Sequence, residues 1–335
     1  FRAWADVRKG ALAGVTADLR LPQARVDWRN GQPALDLQQV AGRLDLQALD
    51  GGWQAKGTGW TFTLADGAHW PASDVTVRWP QAGSDMPHAL EASYLDLALA
   101  RSVAQRLPLP ADAQAQLQRW ALQGRADKPQ LRWQPAMAGH PLRYHAQGQL
   151  QGVTLRDQQA GSHTPGLEGA DLRFTFDQQG GSADVEMQQG ALEFPGIFEE
   201  PRIPVDKLQA SVRWSQDAGG RWSVQVPQAQ FANADAQGQL HARWQMGADA
   251  AQRLPGELEL EGVLSRANGA RVHRYLPLEV PQDARHYVRD SVRSGAAANV
   301  RFKVAGPLAQ FPFDTRGSKG VFHIAAPVPD AVYDY

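Results

Sequence analysis

Ala234-Asp235-Ala236-Gln237-Gly238-Gln239-Leu240-His241-Ala242-Arg243-Trp244 puts a small or apolar residue at every even position and a polar one at every odd position. Successive side chains of an extended chain point to opposite faces, so this stretch reads as a strand with one apolar side and one wet side. Leu142 to Leu150, Gly256 to Leu264 and Asn299 to Leu308 repeat the pattern. Outward from these, strand-like runs fall near 15–20, 24–28, 35–46, 53–64, 74–79, 89–97, 130–134, 142–155, 170–177, 183–193, 208–215, 221–227, 231–245, 257–265, 299–306 and 320–326. The chain is expected to be mostly β.

Turn chemistry says how the runs connect. Asp50-Gly51-Gly52, Asp66-Gly67, Gln179-Gly180-Gly181 and Ala218-Gly219-Gly220 each sit between two runs, and such hairpin turns make the neighbouring strands antiparallel. Within 35–46 the apolar set moves from Leu35 and Leu37 to Val40, Gly42, Leu44 and Leu46; within 142–155 it moves after Gly152 to Val153 and Leu155. A one-residue slip reverses the faces unless a bulge absorbs it, and bulges with mid-strand glycines bend a sheet. The expected architecture is a long, strongly curved antiparallel sheet forming an open groove, a half-pipe with an apolar interior. A bulged barrel or sandwich fits the alternation too.

Two short helical insertions interrupt the strands. The first covers about 97–122, is broken by Pro108 and Pro110, and is expected to place Leu117, Trp120 and Ala121 on one face. The second covers about 270–295, is divided by Pro277 and Pro281, spaces Ala284, Val288 and Val292 four apart, and is expected to stop at Gly295. Endings of the form apolar-Arg-Trp recur at Trp79, Trp133, Trp214 and Trp244, at irregular spacing, which fits iterated hairpins better than a fixed-period solenoid. Phe1 opens directly into strand-like sequence, so residues 1–335 read as one continuous repeating section of a larger protein.

The formal net charge of -1 argues against a nucleic-acid partner, which needs a basic stripe, and against a polybasic membrane-surface binder. With no cysteine, disulfides and thiolate metal sites are excluded. No apolar run approaches the length of a membrane-spanning helix.

A search for chemistry finds little. The nine histidines are scattered; His140 and His145, five apart, fall on opposite faces of a strand. No HExxH, EF-hand, Walker or GxSxG pattern occurs, so no catalytic residue, metal site or cofactor is expected. Glu199-Glu200 is a poor acid/base pair because adjacent carboxylates point apart, and it reads as a solvated loop between Phe198 and Pro201. The eleven tryptophans raise a carbohydrate-binding alternative, although aromatics in strands mostly pack, and the Arg beside Trp79, Trp133, Trp214 and Trp244 falls on the wet face.

What remains is the apolar face itself. Its candidate members are Leu172, Phe174, Phe176, Val212, Trp214, Trp222, Val224, Val226, Leu240 and Trp244, followed by Leu258, Leu260, Leu264, Val300, Phe302, Val304, Phe322 and Ile324. Periodicity leaves two readings open. The face is either the packed core of a β-sandwich or barrel scaffold or interaction module, or a surface that carries a greasy ligand.

Several stretches carry a resemblance. Phe231 to Gly238, Arg271-Val272-His273-Arg274-Tyr275-Leu276-Pro277, Tyr287-Val288-Arg289-Asp290, Val300 to Leu308, Phe311-Pro312-Phe313 and Phe322-His323-Ile324 occur in this order. Earlier come Leu167-Glu168-Gly169-Ala170-Asp171 and Phe194-Pro195-Gly196-Ile197-Phe198-Glu199-Glu200-Pro201. Together they resemble the YhdP-type AsmA-like proteins of Gram-negative bacteria, which are similar in architecture to AsmA and TamB and, more distantly, to bridge-like lipid transfer proteins. The resemblance implies a periplasmic β-groove that moves phospholipid between inner and outer membranes and supports outer-membrane barrier integrity. It implies an inner-membrane anchor outside this sequence, phospholipid acyl chains as partners, and outer-membrane or other envelope proteins as further ones. It carries over no catalytic motif and no ligand contact.

Overall fold

The structure, a computed structural model, describes residues 1–28, 34–137, 141–249, 253–327 and 332–333; His140 lies outside them. Eighteen strands form one long antiparallel sheet that does not close into a barrel, and 62% of the chain is strand. Among the described residues, the only further sheet is a two-stranded ribbon. The closed-barrel and sandwich alternatives are therefore not adopted.

The chain divides into two compact units, residues 1–153 with 173–178 and residues 154–172 with 179–335. The strands of the first are β1 (Arg2–Arg8), β2 (Ala11–Val26), β3 (Leu35–Leu49), β4 (Gly52–Leu64), β5 (His69–Pro80), β6 (His88–Ala92), β7 (Tyr94–Asp96) and, after α1 (Leu97–Ala104) and α2 (Ala111–Arg119), β8 (Trp120–Gln134). β9 (Arg143–Asp157) and β10 (Gly166–Asp177) contribute residues to both units. The second unit continues with β11 (Gly180–Glu193), β12 (Arg202–Gln216), β13 (Trp222–Ala232), β14 (Ala236–Gln245) and β15 (Glu257–Asn268). After α3 (Gln282–Ser291) come β16 (Val292–Ser294), β17 (Ala296–Ala297), β18 (Val300–Pro307), β19 (Val321–Ala325) and β20 (Val332–Tyr333).

In the first unit each strand pairs with its predecessor from β1 to β6, and β6 and β7 both pair with β8. In the second, β11 to β15 pair in sequence, β15 continues to β17 and β18, and β18 to β19; β16 and β20 make the separate ribbon. Turn residues do what their chemistry predicts. Leu64 N–H donates to Ala68 C=O across Asp66-Gly67, and Asp217 Oδ1 accepts from the N–H groups of Gly219 and Arg221. The phase change in 35–46 is a bulge: the β3–β4 register shifts between Gln38 and Arg43. In 142–155, Gly152 carries φ +58° where the alternation changes phase.

The helical insertions end differently from the sequence reading. Asp96 caps α1 by accepting from Leu99 N–H at 2.9 Å. α2 stops at Arg119, so Trp120, Ala121 and Leu122 are strand: they open β8, and sheet formation overrides their helical spacing. In the second insertion a 3-10 helix spans Gly269–Tyr275, and α3 ends at Ser291. Gly295 is not its stop, because Val292 leaves the helix to open β16 and pair with Tyr333. Ala284 is exposed; the buried members of α3 are Arg285 and Ser291, for reasons given below.

Packed interior is scarce. One buried cluster stands out, Ala170, Met187 and Val205, with Leu167, Val185, Leu192 and Leu208 against it, all in the second unit. The chain exposes 20489 Å², whereas a compact monomer of 36.6 kDa would expose about 13,500 Å².

Candidate functional site

The registers of the second unit align its apolar residues into rows that cross the strands. One row is Gly181–Trp214–Val224–Trp244–Leu258–Gly306. The next is Val226–Ala242–Leu260–Val304–Phe322, with Ala183–Val212 leading into it across a bulge. A third is Val185–Ala210–Ala229–Leu240–Gly262–Phe302–Ile324, and a fourth Met187–Leu208–Phe231–Gly238–Leu264–Val300. Trp222 joins this face by alternation with Val224 and Val226. The longest row, Val185 to Ile324, crosses seven strands from β11 to β19 spaced about 4.8 Å apart, so the apolar path runs about 29 Å along the sheet.

This face is not sealed. Of the eighteen candidates, Val300 is 5% exposed and Ile324 46%; the other sixteen are half-buried. Phe174 and Phe176, which belong to the first unit, alternate along β10, with Phe174 against Phe176 at 5.6 Å and Phe176 edge-on to Tyr144 at 6.1 Å; Leu172 of the same strand belongs to the second unit. A packed core would bury large side chains almost completely, whereas among the described residues Met187 and Val153 are the largest side chains less than 2% exposed. Two residues outside the candidate set also belong to the face. Phe311 packs on Phe322 at 5.1 Å, and the Phe313 ring lies over Gly306 and Gly320, so the segment after β18 folds back onto the apolar side.

One position over, the same strands carry charge. His241–Glu261–Lys303–His323 and Gln225–Arg243–Glu259–Ala305 are the alternating rows. Lys303 Nζ meets Glu261 Oε1 at 2.5 Å and His241 Nε2 lies 3.8 Å from Glu261 Oε2. Hydrogen bonding to Lys303 lowers the Glu261 pKa, and the same bond raises that of Lys303. A depression of about 510 Å³ opens on this wet side, lined by these residues other than His323, with Val226, Pro227 and Ala242, and by no tryptophan. That disfavours the carbohydrate alternative, which needs aromatic faces beside free carboxylates. Among the described residues no three His, Asp or Glu side chains converge as a metal site.

The first unit repeats the arrangement. Ala5–Val15–Leu46–Ala55–Val77–Leu90–Leu131 forms one row, half-buried except for the exposed Ala5, with Trp53 opposite Trp79 beside it. On the other side Arg78 donates to Gln54 and Glu91. These residues were outside the candidate set, although the alternation of 35–46, 53–64 and 74–79 signalled them.

A family model described as YhdP protein matches residues 1–335, the whole chain. The chain belongs to the YhdP family. That family is AsmA-like, related to lipid transport, and of the cell envelope. No curated protein and no solved structure matches the chain significantly. No helix among the described residues is long and apolar enough to cross a membrane.

Three of the stretches that carried the YhdP resemblance, 194–201, 231–238 and 271–277, meet in space. Glu199 accepts from Arg285 at 2.5 Å and lies 3.3 Å from His286 Nε2. Arg274 bridges Glu200 at 2.8 Å and Asp235 at 2.5 Å, and Tyr275 Oη donates to Asp235 at 3.1 Å. Asn233 Oδ1 accepts from the N–H groups of Asp235 and Ala236, while its Nδ2 donates to Tyr275 Oη and Pro204 C=O. Arg285 and Asp235 are each 7% exposed, so each needs its partner. Burial opposes the charge of Arg274, but Glu200 and Asp235 outweigh it and its pKa is raised; burial is also the main cause raising the Tyr275 phenol. Glu199-Glu200 lies in an exposed loop, as its sequence suggests, but its carboxylates are also ion-paired. It fastens the second helical insertion to the strand ends.

Proposed function

We propose that this chain is a section of a periplasmic conduit that moves phospholipids between the inner and outer membranes and so supports the outer-membrane barrier. Acyl chains lie on the apolar face of each unit, and headgroups stay in water. The anchor to the inner membrane lies outside this sequence, and contacts with outer-membrane or other envelope proteins belong to other parts of the path. No bond is made or broken, so the chain acts without catalysis or cofactor.

The observation that carries this reading is the second unit's set of apolar rows, the longest crossing seven strands, whose members are mostly half-buried. Each methylene moved from water to such a wall gains about 0.8 kcal/mol, so a continuous wall lowers the barrier to carrying a lipid through water. Passage also requires similar, weak binding at successive positions. Rows of Val, Leu, Phe and Trp without a convergent polar pocket meet that need.

Native mass spectrometry of the intact protein extracted from a Gram-negative envelope tests the proposal. Phospholipid adducts are expected, and they should be lost when Leu260 and Val304 are both replaced by Asp. A folded protein that is free of lipid under the same extraction would favour the scaffold reading.

A further inference from the structure

In each unit an aromatic ring of the apolar face leans onto a mid-strand glycine. In the first, β4 bulges at Thr58-Gly59, where Gly59 has φ +61° and its N–H donates to Asp74 at 2.8 Å. The bulge re-aims Trp60 so that its ring lies over Gly57, the apolar-face residue opposite Leu44 and Val75, and reaches toward Gly42. A Cβ on Gly57 would overlap Trp60 Nε1 and Cδ1, and one on Gly42 would come within 3.2 Å of Trp60 Cγ and Cδ2. In the second unit Gly262 stands directly opposite Phe302, and a Cβ there would overlap Phe302 Cζ and Cε1.

Strand side chains normally stand roughly perpendicular to the sheet, and opposed Cβ atoms are about 5 Å apart. A Phe302 ring whose tip occupies the space above the opposite Cα has leaned across that gap and lies along the sheet. Trp60 does the same over its own strand. Both rings are half-buried and lean over the floor instead of projecting straight from it.

We propose that Gly57 and Gly262 are clearance-setting residues of the lipid path: by seating Trp60 and Phe302 they keep the apolar wall low enough for acyl chains to slide across it. This rests on the lipid-carrying reading above. Filling a seat lifts the ring and makes a step in the path. Gly57 gives the cleaner case, because the three nearest atoms to its added Cβ all belong to the Trp60 ring, whereas Gly262 also faces Gln239 C=O at 2.8 Å.

The test is transfer of fluorescent phosphatidylethanolamine between phosphatidylethanolamine/phosphatidylglycerol vesicles by the intact protein, with melting temperatures recorded for every variant. Gly57→Leu should slow transfer about tenfold, since a chain lifted off the wall re-exposes about two methylenes. Gly57→Leu combined with Trp60→Ala should restore it, because no ring remains to be lifted. Gly262→Ala, with and without Phe302→Leu, gives the same reading in the second unit should Gly57→Leu fail to fold. Wild-type transfer by folded Gly57→Leu, or a double variant as slow as the single one, would overturn the proposal alone. Absence of transfer by the unaltered protein would overturn the lipid reading beneath it.

Discussion

Met187 and Leu260 are both apolar strand residues on the same face of the second unit, and only one of them is sealed. Met187 is 2% exposed among Ala170, Val205 and Leu208; Leu260, flanked by Ala242 and Val304, is half-buried with water on one side. The packed patch lies toward the strand ends that the second helical insertion straps, and the open rows fill the middle. The difference teaches that hydrophobic alternation does two jobs here. Near the strap it makes a core; away from it, it makes a wall.

Stability measurements sharpen or break that comparison. Met187→Ala should cost about 3 kcal/mol in chemical denaturation, because it removes transfer energy and leaves a cavity, whereas Leu260→Ala should cost about 1 kcal/mol. Equal losses would make Leu260 a core residue and dissolve the distinction. The strap comes next. Glu199→Ala strands the buried Arg285 charge and should cost about 2 kcal/mol, reduced from the fully buried case because Glu199 itself is partly exposed. Adding Arg285→Leu should recover part of that loss; a double variant worse than Glu199→Ala alone would argue that the pair has no shared role.

The smallest effect is expected from acid. Glu261, hydrogen-bonded to Lys303, and Glu168, hydrogen-bonded to Arg202, both have lowered pKa values. A lowered carboxylate pKa contributes stability that is complete above the ordinary range near 4.3 and is lost as pH falls through the folded value. Melting temperature should therefore be flat through neutral pH and decline only below that range. Because both groups are exposed, Glu261→Gln should flatten the acid limb only slightly. A strong slope near pH 7 would show that other groups control the fold.

The facing of the strands was legible because period two needs only neighbours in sequence. Arg243 and Trp244, or Arg301 and Phe302, fall on opposite sides as their alternation says, and the bulge in β3 is written in the phase change at Val40. The strap was not legible. Glu199 and Arg285 are 86 residues apart and Glu200 and Arg274 are 74 apart, so nothing local distinguishes these acids from solvated ones. Trp120 was misread because helical spacing continued past the point where the chain had already opened β8. The glycine seats were visible only as mid-strand glycines; which ring fills each depends on register and bulge geometry.

Photo-crosslinking in living cells tests the central claim most directly, with a photoreactive residue at inward Phe302 or Phe174 and at their outward neighbours Arg301 or Arg173. The account predicts phospholipid attached at 302 and 174 and little at 301 and 173. Equal lipid labelling at both sets, or none at 302 and 174 in folded protein, would contradict it.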